Sequence, residues 1–154
     1  MSDDFTKWDS LLKKYSKIYG VPWRWMKVII LNESSNGTNK KVLAGLANPS
    51  DVEGSKSSDG KSWGLMQITL PTAKGLTGRV VSAEELNNAD FNVQLSAQLL
   101  KQLIARFGYS FHDVMRAYNG GPNFGALTLP YYTKSLANLA VVQAKQPGEE
   151  LEIA

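Results

Sequence analysis

The sequence predicts a mostly α-helical domain with one irregular loop or small hairpin lobe. Three observations carry that expectation. Apolar residues recur at helical spacing in successive stretches. Residues that start and stop helices stand between those stretches. Residues 36–62 alone break the pattern, with a run of turn formers.

The first helix is expected over about residues 3–19. Phe5, Trp8, Leu12, Tyr15 and Tyr19 form its apolar stripe, Asp3 and Asp4 favour its first turn, and Gly20 ends it. Pro22 suits the first position of a second helix, which carries Trp25 to Glu33. Ser34-Ser35-Asn36-Gly37 reads as its stop. The following long loop is rich in turns, at Asn48-Pro49-Ser50-Asp51 and from Gly54 to Gly60, and loops of this length are often functional. The chain becomes helical again near Pro71, and Ser82 with Glu85 forms a capping box. A long helix is expected over residues 89–107, with Val93, Ala97, Leu100, Leu103, Ile104 and Phe107 on one face and Gly108 as its stop. Ser110 and Asp113 open the next helix, whose stripe is Phe111, Val114, Met115 and Tyr118, and Asn119-Gly120-Gly121-Pro122 breaks it. A last helix runs over about residues 130–144. The expected organisation is a single domain over residues 1–145, followed by a loose acidic tail at 146–154 containing Glu149, Glu150 and Glu152.

A chain of 154 residues suits one domain with a proper core, and 43% hydrophobic with 20% charged residues argues against wholesale disorder. The absence of cysteine excludes disulfides and thiolate zinc sites, and the single histidine, His112, excludes multi-histidine metal motifs. His112 is expected on a helix surface. Asp51-x-Glu53-x-Ser55 has a faint calcium-loop spacing but lacks the terminal bidentate glutamate. No metal and no cofactor is therefore expected. A net charge of +3, spread along the chain, favours anionic partners mildly and is no nucleic-acid signature. No apolar run approaches the ~20 residues of a membrane span. Met1-Ser2-Asp3-Asp4 does not read as a signal peptide, so the expectation is either synthesis without Sec export or a signal already removed from this sequence.

Glu33 is the most informative residue. Met26, Ile29, Ile30 and Glu33 fall at i, i+3, i+4 and i+7, so the carboxyl lies on the face that should enter the core. A buried carboxylate must be paired, protonated or working. Burial and the negative end of the helix dipole both favour the neutral form, and a neutral carboxylic acid near pH 7 is a general acid. The alternative is a structural glutamate held by an arginine, lysine or tyrosine. Two other segments join it. Gly64-Leu65-Met66-Gln67 is an apolar turn with one amide, and Ala117-Tyr118-Asn119-Gly120-Gly121-Pro122 sets a tyrosine and an asparagine beside two glycines. Amide side chains offer both donor and acceptor, which suits a ligand rich in hydroxyls and acetamides. Taken alone, Leu65, Met66 and Tyr118 read as core, and Asn119 to Pro122 as a turn.

Together, and in this order, these segments resemble the catalytic domain of soluble lytic transglycosylases, in the lysozyme superfamily. Glu33-Ser34 matches that family's "ES" pair. Gly64 to Ala73 matches "GLMQI-x-P-x-TA" with one extra residue, Asn88 to Val93 resembles "DPxxNI", Ala117 to Pro122 matches "AYNAGP", and Tyr132 to Leu136 resembles "YVxKV". The resemblance covers about residues 20–140. It implies a lysozyme-like helical fold and cleavage of peptidoglycan between N-acetylmuramic acid and N-acetylglucosamine. Glu33 would be the acid and then the base, while the muramoyl C6 hydroxyl attacks C1 to give a 1,6-anhydro end. Tyr118 would hydrogen-bond Glu33. Ser34, Met66, Gln67 and Asn119 would line sugar subsites, and Tyr132 would close the cleft.

The chain departs from the family pattern at Asn88-Ala89, where Asp-Pro is usual, and at Gly120, where Ala is usual; both departures read as minor. The longer segment before Gly64 places Asp59 five residues ahead of the motif, as in goose-type lysozymes. Asp59 is then a possible second carboxylate, and water-mediated muramidase hydrolysis of the same bond is the alternative outcome. A non-catalytic wall-binding or virion structural module is a third reading. The lack of a signal peptide, the small size and the lack of a separate wall-binding domain lead to the expectation of a monomeric phage lysis or virion-associated enzyme acting on the bacterial wall, with a domain excised from a larger bacterial protein as the alternative.

Overall fold

A computed structural model describes residues 4–39 and 62–154. A 3-10 turn, Asp4–Thr6, leads into α1 (Asp9–Tyr19), α2 (Trp23–Ser34), α3 (Leu70–Thr77), α4 (Ala83–Leu86), α5 (Ala89–Phe107) and α6 (Phe111–Gly120). A second 3-10 turn, Ala126–Thr128, precedes α7 (Leu129–Lys145). Among the described residues there is no strand, and an isolated antiparallel bridge joins Trp63 to Ile68. No described helix is long and apolar enough to cross a membrane.

Local signals set most boundaries. Gly20 adopts φ 69°, and its N–H closes α1 on the Ser16 carbonyl at 2.8 Å. The α3, α5 and α6 helices are capped by Thr69, Asn88 and Ser110, each accepting the backbone N–H of the residue three positions on. Both halves of the Ser82–Glu85 capping box form at α4. The first helix starts later than its stripe predicts, because the Asp4 and Phe5 carbonyls turn aside. Phe5 O accepts from Lys27 Nζ, and the Asn36 amide donates to both Asp4 O and Phe5 O. Pro22 stands at the N-cap of α2, one residue ahead of its expected place.

The α2 helix is the axis of the molecule. It packs most extensively on α7, while α1 lies on both α2 and α5, and α6 bridges α5 and α7. The spacing predicted one buried face for α2, yet every residue except Leu31 is buried. A helix enclosed on all sides must satisfy its polar side chains internally. Lys27 does so on Phe5 O and on Asp9 Oδ1 at 2.7 Å; burial lowers its pKa and the Asp9 carboxylate acts oppositely.

Arg24 satisfies its guanidinium on the C-terminal tail, which corrects the expectation that residues 146–154 are loose. Its nitrogens donate to the carbonyls of Gln146 at 3.0 Å, Pro147 at 3.1 Å and Glu149 at 2.8 Å, and to Glu152 Oε1 at 2.5 Å. Trp25 Nε1 donates to Glu150 Oε2 at 2.9 Å, and the Ala154 N–H reaches Ser16 Oγ at 3.0 Å. The acidic composition suggested a solvated tail, but a buried cation and two indoles needed acceptors and the tail supplies them.

Candidate active site

Glu33 lies in the last turn of α2 and is 3% exposed, so the carboxyl occupies the interior position its spacing predicts. Ser35 and Asn36 follow with φ of 50° and 60°, closing the helix through N–H groups on Leu31 O and Ile30 O. Ser34, the residue after Glu33, is fully buried. Its hydroxyl donates to the Leu65 carbonyl at 2.7 Å and accepts the Gly37 N–H at 3.0 Å. It therefore fastens the end of α2 to the turn at 63–68.

That turn is held from three sides. Trp63 and Ile68 exchange N–H to carbonyl bonds, both at 3.0 Å. Asn92 of α5, fully buried, accepts the Met66 N–H at 2.7 Å and donates to the Trp63 and Leu86 carbonyls, both at 2.8 Å. Tyr118 of α6 donates to the Met66 carbonyl at 3.0 Å. Gly64 is required inside this knot, since it has φ 79° and a Cβ there would strike the Asn92 amide and the Leu86 carbonyl. Gln67 takes φ 53°, a conformation that side chains rarely adopt, and its Nε2 folds back on the Gly64 carbonyl at 2.9 Å.

The predicted site residues sort accordingly. Glu33, Ser34, Met66, Gln67 and Tyr118 are brought together around the turn. Ser34 and Met66 are fully buried, so both side chains serve packing and turn geometry and present no open surface to a sugar. The Tyr118 hydroxyl has one proton, and it goes to Met66 O, while Ser96 Oγ fills the other side of that oxygen at 2.8 Å. The direct donation to Glu33 that the resemblance implies is therefore replaced by a donation to the turn. Burial first, and the Glu33 charge second, push the Tyr118 phenol well above its ordinary pKa, so it stays neutral. Asn119 follows on the last turn of α6, half-buried, with an amide free of hydrogen bonds to the described residues. Asp59 and the Asp51-x-Glu53-x-Ser55 spacing lie outside the described residues.

Tyr132 is the residue that the resemblance expects to close the cleft. Its ring packs on Phe111 at 6.3 Å and edge-on to His112 at 4.7 Å. The tyrosine facing the acid is Tyr131, 4% exposed, one residue earlier and about 100° around the helix. Burial raises its pKa most, and Glu33 raises it further both as a charge and as an acceptor, with Asn32 acting oppositely. The Tyr131 hydroxyl itself is buried and completes no hydrogen bond. Lys134, one turn on, donates to the Asn32 carbonyl at 2.8 Å; burial lowers its pKa and the Glu33 charge opposes that. The sequence contained a signal for both residues. Read from Tyr131, the "YVxKV" pattern puts a lysine at Lys134, whereas read from Tyr132 it does not. Asn92 was also legible, as the asparagine of the "DPxxNI" segment, without its role. His112 lies on the α6 surface with its side chain 46% exposed, beside Asp113 and Arg116.

Among the described residues the site is one buried carboxyl, set at a helix end against a strained turn and two neutral phenols, inside a helical fold. The transglycosylase SLT domain family matches residues 10–134, and the chain belongs to that family. The fold is similar to that of lytic transglycosylase Slt from Pseudomonas aeruginosa, solved as an inactive glutamate-to-glutamine mutant, with a TM-score of 0.69 at 20% identity. The similarity covers 96% of this chain and 26% of that one, so the chain spans about a quarter of that protein's length. No curated protein matches the sequence.

Proposed function

We propose that this domain cleaves the MurNAc-β-1,4-GlcNAc bond of peptidoglycan as a lytic transglycosylase. The observation that carries the reading is Glu33, buried where α2, the 63–68 turn, α6 and α7 converge. Glu33 donates its proton to the glycosidic oxygen as the C1–O bond breaks. The carboxylate then takes the proton of the muramoyl C6 hydroxyl as that oxygen bonds to C1. The proton count closes without water, and one carboxyl performs both transfers. Tyr118 and Tyr131 stay neutral around it, and Asn119 offers an amide for a sugar hydroxyl or acetamide. Inactivation of the Pseudomonas protein by a single glutamate-to-glutamine change fits chemistry resting on one carboxyl.

The test is the product. Muropeptides released from purified wall should end in 1,6-anhydro-N-acetylmuramic acid, and Glu33→Gln should lower turnover by at least the ~10²–10⁴-fold typical of a general acid, with its fold intact. Reducing ends alone, together with a large loss in Asp59→Asn, would replace this reading by hydrolysis with Asp59 as the base. Normal wall clearance by Glu33→Gln would remove Glu33 from the chemistry altogether.

A further inference from the structure

The α7 helix presents Tyr131 and Lys134 three residues apart, hence side by side on the face turned to α2. Tyr131 faces Glu33, and Lys134 Nζ sits on the carbonyl of Asn32, the residue before Glu33. The register between the two helices is locked. Asn32 Nδ2 donates to Ser135 Oγ at 2.8 Å, Ser135 Oγ donates to the Tyr131 carbonyl at 2.8 Å, and Asn138 Nδ2 donates to Asn32 Oδ1 at 2.6 Å. Asn32 and Ser135 are fully buried, so α7 cannot slide or turn without breaking buried bonds. The bond from Lys134 Nζ to Asn32 O thus holds the ammonium at the residue before Glu33.

We propose that Lys134 is the positioning residue that sets the proton affinity of Glu33, placing a fixed positive charge beside an acid that must both give and take a proton. The proposal rests on the catalytic reading of Glu33. Burial and the α2 C-terminus favour the neutral carboxyl, and unopposed they would leave an acid too weak to protonate a leaving group and a carboxylate formed too rarely. A cation stabilises the ionised form and brings the balance back towards the working pH, where a group used in both directions is most effective. Among the described residues, the titratable groups facing Glu33 are Tyr118 from α6 and Tyr131 and Lys134 from α7; Lys134 carries the positive charge in that set. The turn at 63–68 and the α5 side chains Asn92 and Ser96 are neutral. A role limited to capping the Asn32 carbonyl would need a donor there but no charge.

Lys134→Gln and Lys134→Arg separate the two roles. Glutamine retains a donor without the charge, and arginine retains the charge. The rate of wall solubilisation is followed against pH for wild type and both variants, and the Glu33 carboxyl is titrated by carbon-13 NMR in the same proteins. Removing the cation raises the pH up to which Glu33 stays protonated. In Lys134→Gln the alkaline limb of the rate and the NMR midpoint should both move up by roughly one unit, with kcat lowered and KM unchanged. Lys134→Arg should titrate close to wild type. An unmoved midpoint in Lys134→Gln, or equal shifts in both variants, overturns the proposal. If Lys134→Gln does not fold, a Lys134→Met variant is titrated in its place under the same criterion, and a Lys134→Arg midpoint moved up by as much as a unit also counts against the proposal. Failure of the catalytic reading is distinguishable, since it appears in wild type and Glu33→Gln without reference to Lys134.

Discussion

Asn92 holds Met66. Its side-chain oxygen accepts the Met66 N–H at 2.7 Å, and its nitrogen reaches the Trp63 and Leu86 carbonyls on either side. One buried amide thereby ties α5 to the turn that carries Gln67 and to the end of α4. Asn92→Ala leaves a buried N–H and two carbonyls without this partner, each carrying a desolvation penalty of about 1–3 kcal/mol. Urea unfolding should show a loss of at least about 3 kcal/mol, and activity should fall with it. A loss below about 1 kcal/mol would mean that the turn stands without Asn92.

Two tyrosine-to-phenylalanine variants should behave differently. Tyr118→Phe removes the donor to Met66 O and should lower stability by about 1–3 kcal/mol, with little movement of the pH–rate profile. Tyr131→Phe removes a hydroxyl that faces Glu33 without completing a hydrogen bond, and whose dipole favours the ionised carboxylate. Its alkaline limb should shift up. Movement of the profile in Tyr118→Phe alone would reverse the two assignments.

Gly120 occupies the place of the family's usual alanine for a local reason. A Cβ there would collide with Thr128 Cγ2, and Thr128 cannot rotate freely because Oγ1 accepts from Arg116 Nε at 2.8 Å and donates to Gly125 O at 2.7 Å. Gly→Ala within a helix would otherwise gain up to about 1 kcal/mol. Overpacking of about 1–3 kcal/mol should win, so Gly120→Ala lowers the melting temperature. Adding Thr128→Ser, which deletes Cγ2 and keeps Oγ1, should restore it. Stabilisation by Gly120→Ala alone would show that the 3-10 turn yields.

The tail should detach in acid. The Arg24 guanidinium beside Glu152 holds its carboxyl below the ordinary value, with the Trp23 indole adding to that. A carboxyl depressed in the folded state contributes above its unfolded pKa and loses that contribution as pH falls through its folded pKa. The Trp23 N–H, at the open start of α2, donates to Glu152 O at 3.2 Å. Its hydrogen-exchange protection should drop below about pH 4, the ordinary carboxylate range, and at neutral pH in Arg24→Gln. Full protection in both conditions would show that the tail is held without this ion pair.

The chain by itself determined the helices, their caps and the position of the acid. Those features depend on local spacing and on residues that act within one turn, as Gly20, Ser82, Asn88, Gly108 and Ser110 do. Glu33 was legible because a carboxyl at i+7 of an apolar stripe has few physical explanations. Tertiary structure decided what surrounds it. A shift of one residue along α7 rotates a side chain by about 100°, so the sequence pattern could not separate Tyr131 from Tyr132 until α7 was packed on α2. The same packing enclosed α2 on every side, forcing Arg24 and Lys27 to find acceptors far along the chain, and so bound a tail that composition alone assigned to solvent. Partners separated by more than a hundred residues, such as Arg24 with Glu152 or Lys134 with Asn32, leave no periodic trace, because their pairing depends on where two helices cross rather than on any local spacing.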